Sequence, residues 1–381
     1  MTRYGSLPFR EQAEFFRQKA PVPTRAWTDL WESEHDHAFM VAGAMKADLL
    51  TDFQTSIQKA IDEGTTLETF RRDFDEIVAR HGWAYQGGRN WRTRVIYETN
   101  LRQSYHAGRE AQMADPDLRA LRPYGLYRHG GSEDPREEHL ALDGTVLPLD
   151  DPWWDTWSPQ NGWGCKCKKF MVSKEEAERL GYQVREKSPP IEWEEKTVGA
   201  RGPTPRTVRV PKGIDPGFAY RPGASTAQAA SAFVEKSVRL DPAIGISAVN
   251  RAVASPSFTR FYDAPQGNYP VAILRPGDAQ AMGAKTLTVG LSADTVRKQR
   301  REHPDVSAAD YVLVQRVVTE GERIPDGRRS SVYVLETASF IAVVKATETG
   351  HGLFLTSFRR LSSDQGKRDR EIARLRSKQR R

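Results

Sequence analysis

At 381 residues, with 38% hydrophobic and 28% charged residues, the chain is long enough for two or three domains and fits a soluble protein with long polar connections. No apolar run approaches the roughly 18 residues that cross a bilayer, the first residues (MTRYGSLPFREQAEFF) lack the apolar stretch of a secretory signal, and two cysteines exclude a disulfide framework while fitting a reducing compartment or thiols used as ligands. The net charge of +7 is concentrated in the last 25 residues, which hold ten Lys/Arg and three Asp/Glu; this is either a solvated, mobile tail or an arm that neutralises phosphates or an acidic surface without reading sequence.

Residues 1–85 read as a helical module. Met45, Leu49, Phe53, Ile57 and Ile61 recur every fourth position, which predicts one buried helical face ending at Gly64. Thr65 and Glu68 have the spacing of a capping box for a second helix that ends before Gly82. A third helix over 91–113 opens the next region, 86–185. Tyr97, Leu101, Tyr105 and Gly108 share its apolar stripe, the glycine admitting another backbone. Glu98, Arg102, His106 and Arg109 form a polar stripe beside it, read as a partly buried structural network rather than a catalytic one.

Residues 132–167 are the most unusual segment. They hold both cysteines, spaced Cys-x-Cys, and four of the nine tryptophans (Trp153, Trp154, Trp157, Trp163), punctuated by Gly, Pro and Asn. This predicts a loop-rich Trp/Cys core. Ser173 with Glu176 predicts a capped short helix closed by Gly181. Seven prolines between 186 and 225 predict a linker or extended arm with no regular structure beyond a short strand at 207–210. Residues 226–265 read as a helical connector. Over 266–361, a strand at KTLTVGLS, helices capped by Ser292 and Ser307, and the runs SVYVLET, SFIAVVKATE and GLFLTSFRR predict an α+β domain with a small antiparallel meander. Residues 362–381 form the basic tail. The expected fold class is therefore multidomain: mainly α in the N-terminal half, α+β in the C-terminal half.

Cys165 and Cys167 can both ligate one Zn²⁺ as thiolates, with His139 as third ligand and His129 or Asp143 as fourth. Structural zinc sites usually space their cysteines by two to four residues, and here the gap is one. The alternative is two small buried cysteines beside tryptophans. The carboxylates Asp134, Glu137, Glu138 and Asp143 near His139 do not by themselves make a hydrolase, since Asp-Pro and Asp-Gly are turn pairs whose side chains bond backbone amides.

Several strings, in order, resemble the phage Mu F-like minor head protein family: RVIYETNLRQSYHAGR (94–109), RPYGLYRH (122–129), DPREEHLALDG (134–144), DDPWWDTWSPQNGWGCKC (150–167) and SKEEAERLGY (173–182). The resemblance runs from about residue 15 to 182 and continues through VPKGIDPGFAYRPG (210–223). It implies a structural protein of a tailed phage or prophage, present in few copies near the portal vertex and needed for head morphogenesis or DNA packaging. Its partners would be portal, major capsid or scaffold protein, with phage DNA a further contact for the basic tail. Its place would be the virion head, and the host cytoplasm during assembly, with no membrane contact.

The C-terminal domain resembles, through LTVGLSADTVRKQRREHP (287–304), DYVLVQRVV (310–318) and VVKATETGHGLFLTSFRR (343–360), the barnase–EndoU–colicin–RelE-like nuclease domains that trail some phage head proteins. That resemblance implies metal-free RNA cleavage, which needs a base, an acid and cations at a phosphodiester. His303 is then the acid or base, with His351 a second candidate. Lys345 and Arg359 would meet phosphate oxygens, and Thr356 or Ser357 would supply a hydroxyl. Strand alternation puts Leu355, Ser357 and Arg359 on one face and Phe354, Thr356 and Phe358 on the other. The expectation is a minor head protein that keeps this domain for contact; the alternative is a virion-associated RNase-type effector.

Overall fold

The computed structural model describes residues 9–200 and 205–378. The chain divides into two compact units, Met1–Ser225 and Thr226–Arg381. The N-terminal half is mainly helical and the C-terminal half mixed α+β, as the sequence pattern anticipates. No described helix is long and apolar enough to cross a membrane.

The first unit begins with α1 (Arg10–Arg17), followed by the two-residue strands β1 (Ala20–Pro21) and β2 (Ala38–Phe39), paired in parallel. Helix is expected throughout this region, yet 3-10 turns lie between the two strands. Local side chains favour these turns: the Asp29 carboxylate accepts from the Arg25 and Ala26 amides, and Glu34 from the Trp31 amide. The helices α2 (Ala47–Glu63), α3 (Leu67–His81), α4 (Arg89–Met113) and α5 (Pro116–Leu121) follow. Leu49, Phe53 and Ile57 from α2 meet Phe70, Phe74 and Ile77 from α3 in one core, so the predicted stripes are real. Met45 is the exception: it precedes α2 and stays 48% exposed. The cap of α3 is Thr66, whose hydroxyl accepts from the Thr69 amide, one residue beyond the expected Thr65. Gly108 acts as its place in the stripe suggests, since a Cβ there would lie 2.7 Å from the Gln12 amide nitrogen of α1.

A three-stranded antiparallel sheet forms the second layer. β3 (Tyr124–Arg128) is central, flanked by β4 (Val146–Pro148) and β5 (Lys168–Val172). The short helices α6 (Glu137–Ala141), α7 (Trp154–Trp157) and α8 (Lys174–Arg179) fill the connections. Ser173 and Glu176 cap α8 reciprocally, as expected. The two layers meet through a buried ion pair, Lys169 Nζ to Glu110 on α4 at 2.8 Å, with the ammonium 4.4 Å over the Trp154 ring. Residues 186–225 hold more structure than expected: β6 (Trp193–Val198) and β7 (Arg206–Pro211) pair as an antiparallel hairpin. Pro189 and Pro190 lie ahead of β6, Pro205 directly before β7 and Pro211 at its last residue, where a missing N–H is tolerated.

The second unit opens with α9 (Ala227–Leu240), α10 (Pro242–Val253) and α11 (Pro256–Asp263). Then come β8 (Asn268–Ile273), α12 (Pro276–Ala281), β9 (Thr288–Ser292), α13 (Ala293–Glu302) and α14 (Val314–Glu320). The chain closes with β10 (Glu322–Pro325), β11 (Ser330–Leu335), β12 (Phe340–Ala346), β13 (Leu353–Arg360) and α15 (Gln365–Lys378). The predicted meander is β11–β12–β13. The sheet around it is larger than expected, with order β10-β11-β12-β13-β9-β8, and β13 runs parallel to β9. A parallel neighbour needs a long crossover, which the helices and strands between β9 and β13 provide. The expected alternation along β13 fails at a bulge: Val343 pairs with Ser357 but Val344 with Leu355. Thr356 is the extra residue, so Leu353, Leu355 and Phe358 are all buried. The basic C-terminus is no free arm over α15, because Ile372 packs with Ile324, Val332 and Ile341.

The polar stripe of α4 carries a testable consequence. Glu98 pairs with Arg102 at 3.0 Å, while His106 is buried and its pKa falls from 6.5 to about 4, mainly through burial, with Cys165 opposing the fall and the nearby cations Lys168, Arg102 and Lys169 adding to it. A folded-state pKa below the unfolded value leaves stability intact above pH 6.5. Below it, the unfolded chain takes up a proton that the folded chain refuses, a loss reaching about 3 kcal/mol by pH 4. Urea unfolding of the full chain at pH 7, 5.5 and 4.5 is expected to show this decline, and a His106→Asn variant a shallower one. Parallel declines would contradict the assignment to His106.

Candidate metal centre in the tryptophan-rich core

From Cys165 to Phe170 the residues are alternately buried and exposed, as in a strand with one covered face. The stretch runs directly into β5. A spacing of one therefore turns both sulfurs to the same side, inward, while Lys166 faces out. Opposite them stands α6, which carries His139 with 2% of its surface exposed. Trp153 and Trp157 stack at 5.8 Å and 10°, and Trp157 meets the edge of the His139 ring. Tyr127, Trp153, Trp157, both cysteines, Ile214 and Phe218 make one apolar cluster around the site.

The protonation of His139 follows from its partners. Nε2 lies 2.9 Å from the Gly213 carbonyl oxygen, which can only accept, so Nε2 carries the proton. The lone pair of Nδ1 then faces Cys167 Sγ at 3.5 Å and Cys165 Sγ at 3.7 Å. The three donor atoms all lie within 4.8 Å of one another. A tetrahedral zinc ion with Zn–S about 2.3 Å and Zn–N about 2.05 Å would separate its S and N ligands by about 3.5 Å. The observed spacings fit that edge. A histidine that gives its second N–H to a backbone carbonyl is also the usual support for a metal-bound imidazole.

The Cys165 sulfur is held below the usual thiol range by a hydrogen bond from Cys167, which outweighs its burial. The same bond and burial push the Cys167 thiol up. Two sulfurs thus converge on a single imidazole lone pair, which can accept at most one S–H. A soft cation would engage all three groups at once. The His/Cys/Cys cluster is therefore capable of coordinating a metal ion.

Neither expected fourth ligand reaches the cluster. The Asp143 carboxylate accepts from Arg128 Nε at 2.9 Å and the His129 amide at 2.7 Å, and His129 Nδ1 accepts from the Gly131 amide at 3.3 Å. Both serve the turn at the end of β3. Among the described residues no other His, Cys, Asp or Glu joins the three. Two residues absent from the sequence reading do matter. Gly213 supplies the carbonyl, and Asp215 accepts from Arg136 at 2.7 Å and from the Trp163 amide at 2.8 Å. Their signal is the turn string KGIDPG inside the proline-rich stretch.

The nuclease candidates lie apart. His303 follows α13, half-buried. Lys345 is exposed on β12 opposite Phe354, whereas Arg360 reaches the Asp305 carbonyl, two residues from His303. Roughly 20 Å of strand separates Phe354 from Arg360, so His303 and Lys345 sit toward opposite ends of β13. Thr356 donates to the Val343 carbonyl, Arg359 pairs with Glu371, Ser357 is half-buried in the strand, and His351 is exposed in its turn. Among the described residues, no hydrogen bond or ion pair joins His303 to Lys345, Thr356, Ser357 or Arg359.

Comparison with known proteins places the first unit. Residues 51–170 match the family described as "Phage Mu protein F like protein", a span that includes all three donors. The chain is 30% identical over 258 residues to "Putative capsid assembly protein F" of Escherichia phage Mu, covering 61% of this chain and 58% of that protein. It is 32% identical over 194 residues to "Mu-like prophage FluMu F protein" of Haemophilus influenzae, covering 48% and 46%. The chain thus spans about half the length of these relatives. No solved structure matches it. The region that builds the His139/Cys165/Cys167 cluster is homologous to the phage Mu F-like protein family.

Proposed function

We propose that this chain is a minor head protein of a tailed phage or prophage, acting in head morphogenesis and DNA packaging near the portal vertex. The observation that carries this reading is the match over 51–170 together with a relative whose name records capsid assembly. Its work is contact, with portal, major capsid or scaffold protein. Helix α15 supports an additional contact with phage DNA. Its Lys367, Arg370 and Arg374 are exposed at positions three and four apart, so they form one outward stripe, while Ile372 faces the core. Such a stripe neutralises phosphates without reading bases.

Within this reading, His139, Cys165 and Cys167 bind one structural Zn²⁺. The ion would tie α6 to the strand that leads into β5, in a layer whose sheet has only three strands. Small layers with little core often rely on such a staple.

Two measurements test these statements. Heads purified from an induced lysogen carrying this gene should contain the chain by mass spectrometry, and a deletion should yield few DNA-filled heads; filled, infectious heads lacking the protein would sink the assembly reading. Elemental analysis of the purified chain should give close to one zinc per molecule, lost in a Cys165→Ser/Cys167→Ser variant. A folded wild-type sample that takes up no zinc would end the metal reading.

A further inference from the structure

The segment after β7 is threaded over α6 with almost no clearance. Gly213 has φ +88°, and a Cβ there would lie 2.6 Å from Glu138 Cβ and 3.2 Å from the Trp157 ring. Only glycine combines this backbone with that approach. Its carbonyl meets His139 Nε2. Two residues on, Asp215 binds Arg136 at the start of α6 and the Trp163 amide, and its own amide donates to the Asn161 carbonyl at 3.0 Å. Ile214, Phe218 and Tyr220 are buried. Residues 211–220 are therefore fastened to the two pieces of chain that carry the metal ligands: α6 and the loop before Cys165.

The same pieces build a groove. A cavity of about 590 Å³ in the first unit is lined by Trp91 and Val95 of α4 together with Trp163, Pro216, Phe218 and Tyr220. Trp163 lies two residues before Cys165, and its ring meets Phe218 edge-on at 4.9 Å.

We infer that metal occupancy at His139, Cys165 and Cys167 sets whether residues 211–220 are locked in place, and with them one wall of this groove. The inference rests on the zinc reading above and adds a regulated segment to it. A metal on Nδ1 fixes the plane of the ring and makes Nε2–H a stronger donor, so it reinforces the bond to the Gly213 carbonyl. Without the metal, the ring is oriented by that bond and by weak contacts to sulfur. The coupling is reciprocal: whatever the metal does for the segment, the segment does for metal affinity.

Hydrogen exchange of the full-length protein, zinc-loaded and after EDTA treatment, reads this directly. Amides in 211–220 and 160–167 are expected to exchange about tenfold or more faster once zinc is removed, with α2 and α3 unchanged. A Gly213→Ala variant is expected to keep one zinc per chain but bind it about 10- to 100-fold more weakly, by competition with a chromophoric chelator. If zinc binds one to one yet 211–220 exchanges alike in both states, the lock is refuted and the metal site stands. Unchanged affinity in Gly213→Ala also counts against the lock. If the wild-type chain takes up no zinc under any loading, both readings fall.

Discussion

The first unit depends on how one buried imidazole is held. His139 is almost wholly removed from solvent, so each of its nitrogens must find a partner within the protein. A backbone carbonyl takes the N–H side, which fixes the tautomer and points the opposite lone pair at two sulfurs. Around this axis the tryptophans supply apolar bulk and exclude water, which strengthens every polar contact inside. Moving the ring would disturb α6, the cysteine stretch and residues 211–220 together, because all three converge on it.

Several of these features were readable from sequence because local chemistry decides them. The stripes of α2 and α3 follow from the 3.6-residue period, the cap of α8 from Ser173 and Glu176, and the β11–β12–β13 meander from β-branched runs separated by short turns. The grouping of His139 with Cys165 and Cys167 was also readable, since a His near a Cys-x-Cys offers few other combinations. What failed was whatever distant contacts decide. Asp143 has the right chemistry for a fourth ligand, but Arg128 and the His129 amide claim its carboxylate. Gly213 contributes through its carbonyl and its lack of a side chain, neither of which residue identity alone reveals. The bulge at Thr356 reverses a face that strict alternation would assign, and only pairing with β12 exposes it.

The two units stand differently toward function. The family match falls within the first unit and ends at residue 170, with the cluster inside it. In the second unit the residues suggested by nuclease resemblance are spread over the end of α13, β12, β13 and the turn between those strands, and several are engaged in structure, Arg359 with Glu371 and Thr356 with a backbone carbonyl. The basic C-terminus, read from sequence as a solvated tail or a contacting arm, is amphipathic over α15, where Ile372 and Leu375 pack against the core, Arg376 pairs with Glu322, and Lys367, Arg370 and Arg374 stay exposed. A fixed stripe of charge suits repeated contact with phosphate better than a loose one, since less side-chain and backbone freedom is lost on binding.

The proposed zinc stands or falls on the identity of the atoms around it. X-ray absorption at the zinc edge of the loaded, full-length protein tests this most directly. Two sulfur scatterers at about 2.3 Å and at least one nitrogen at about 2.05 Å are the result the geometry requires. A shell made only of nitrogen and oxygen, with no sulfur, would contradict it.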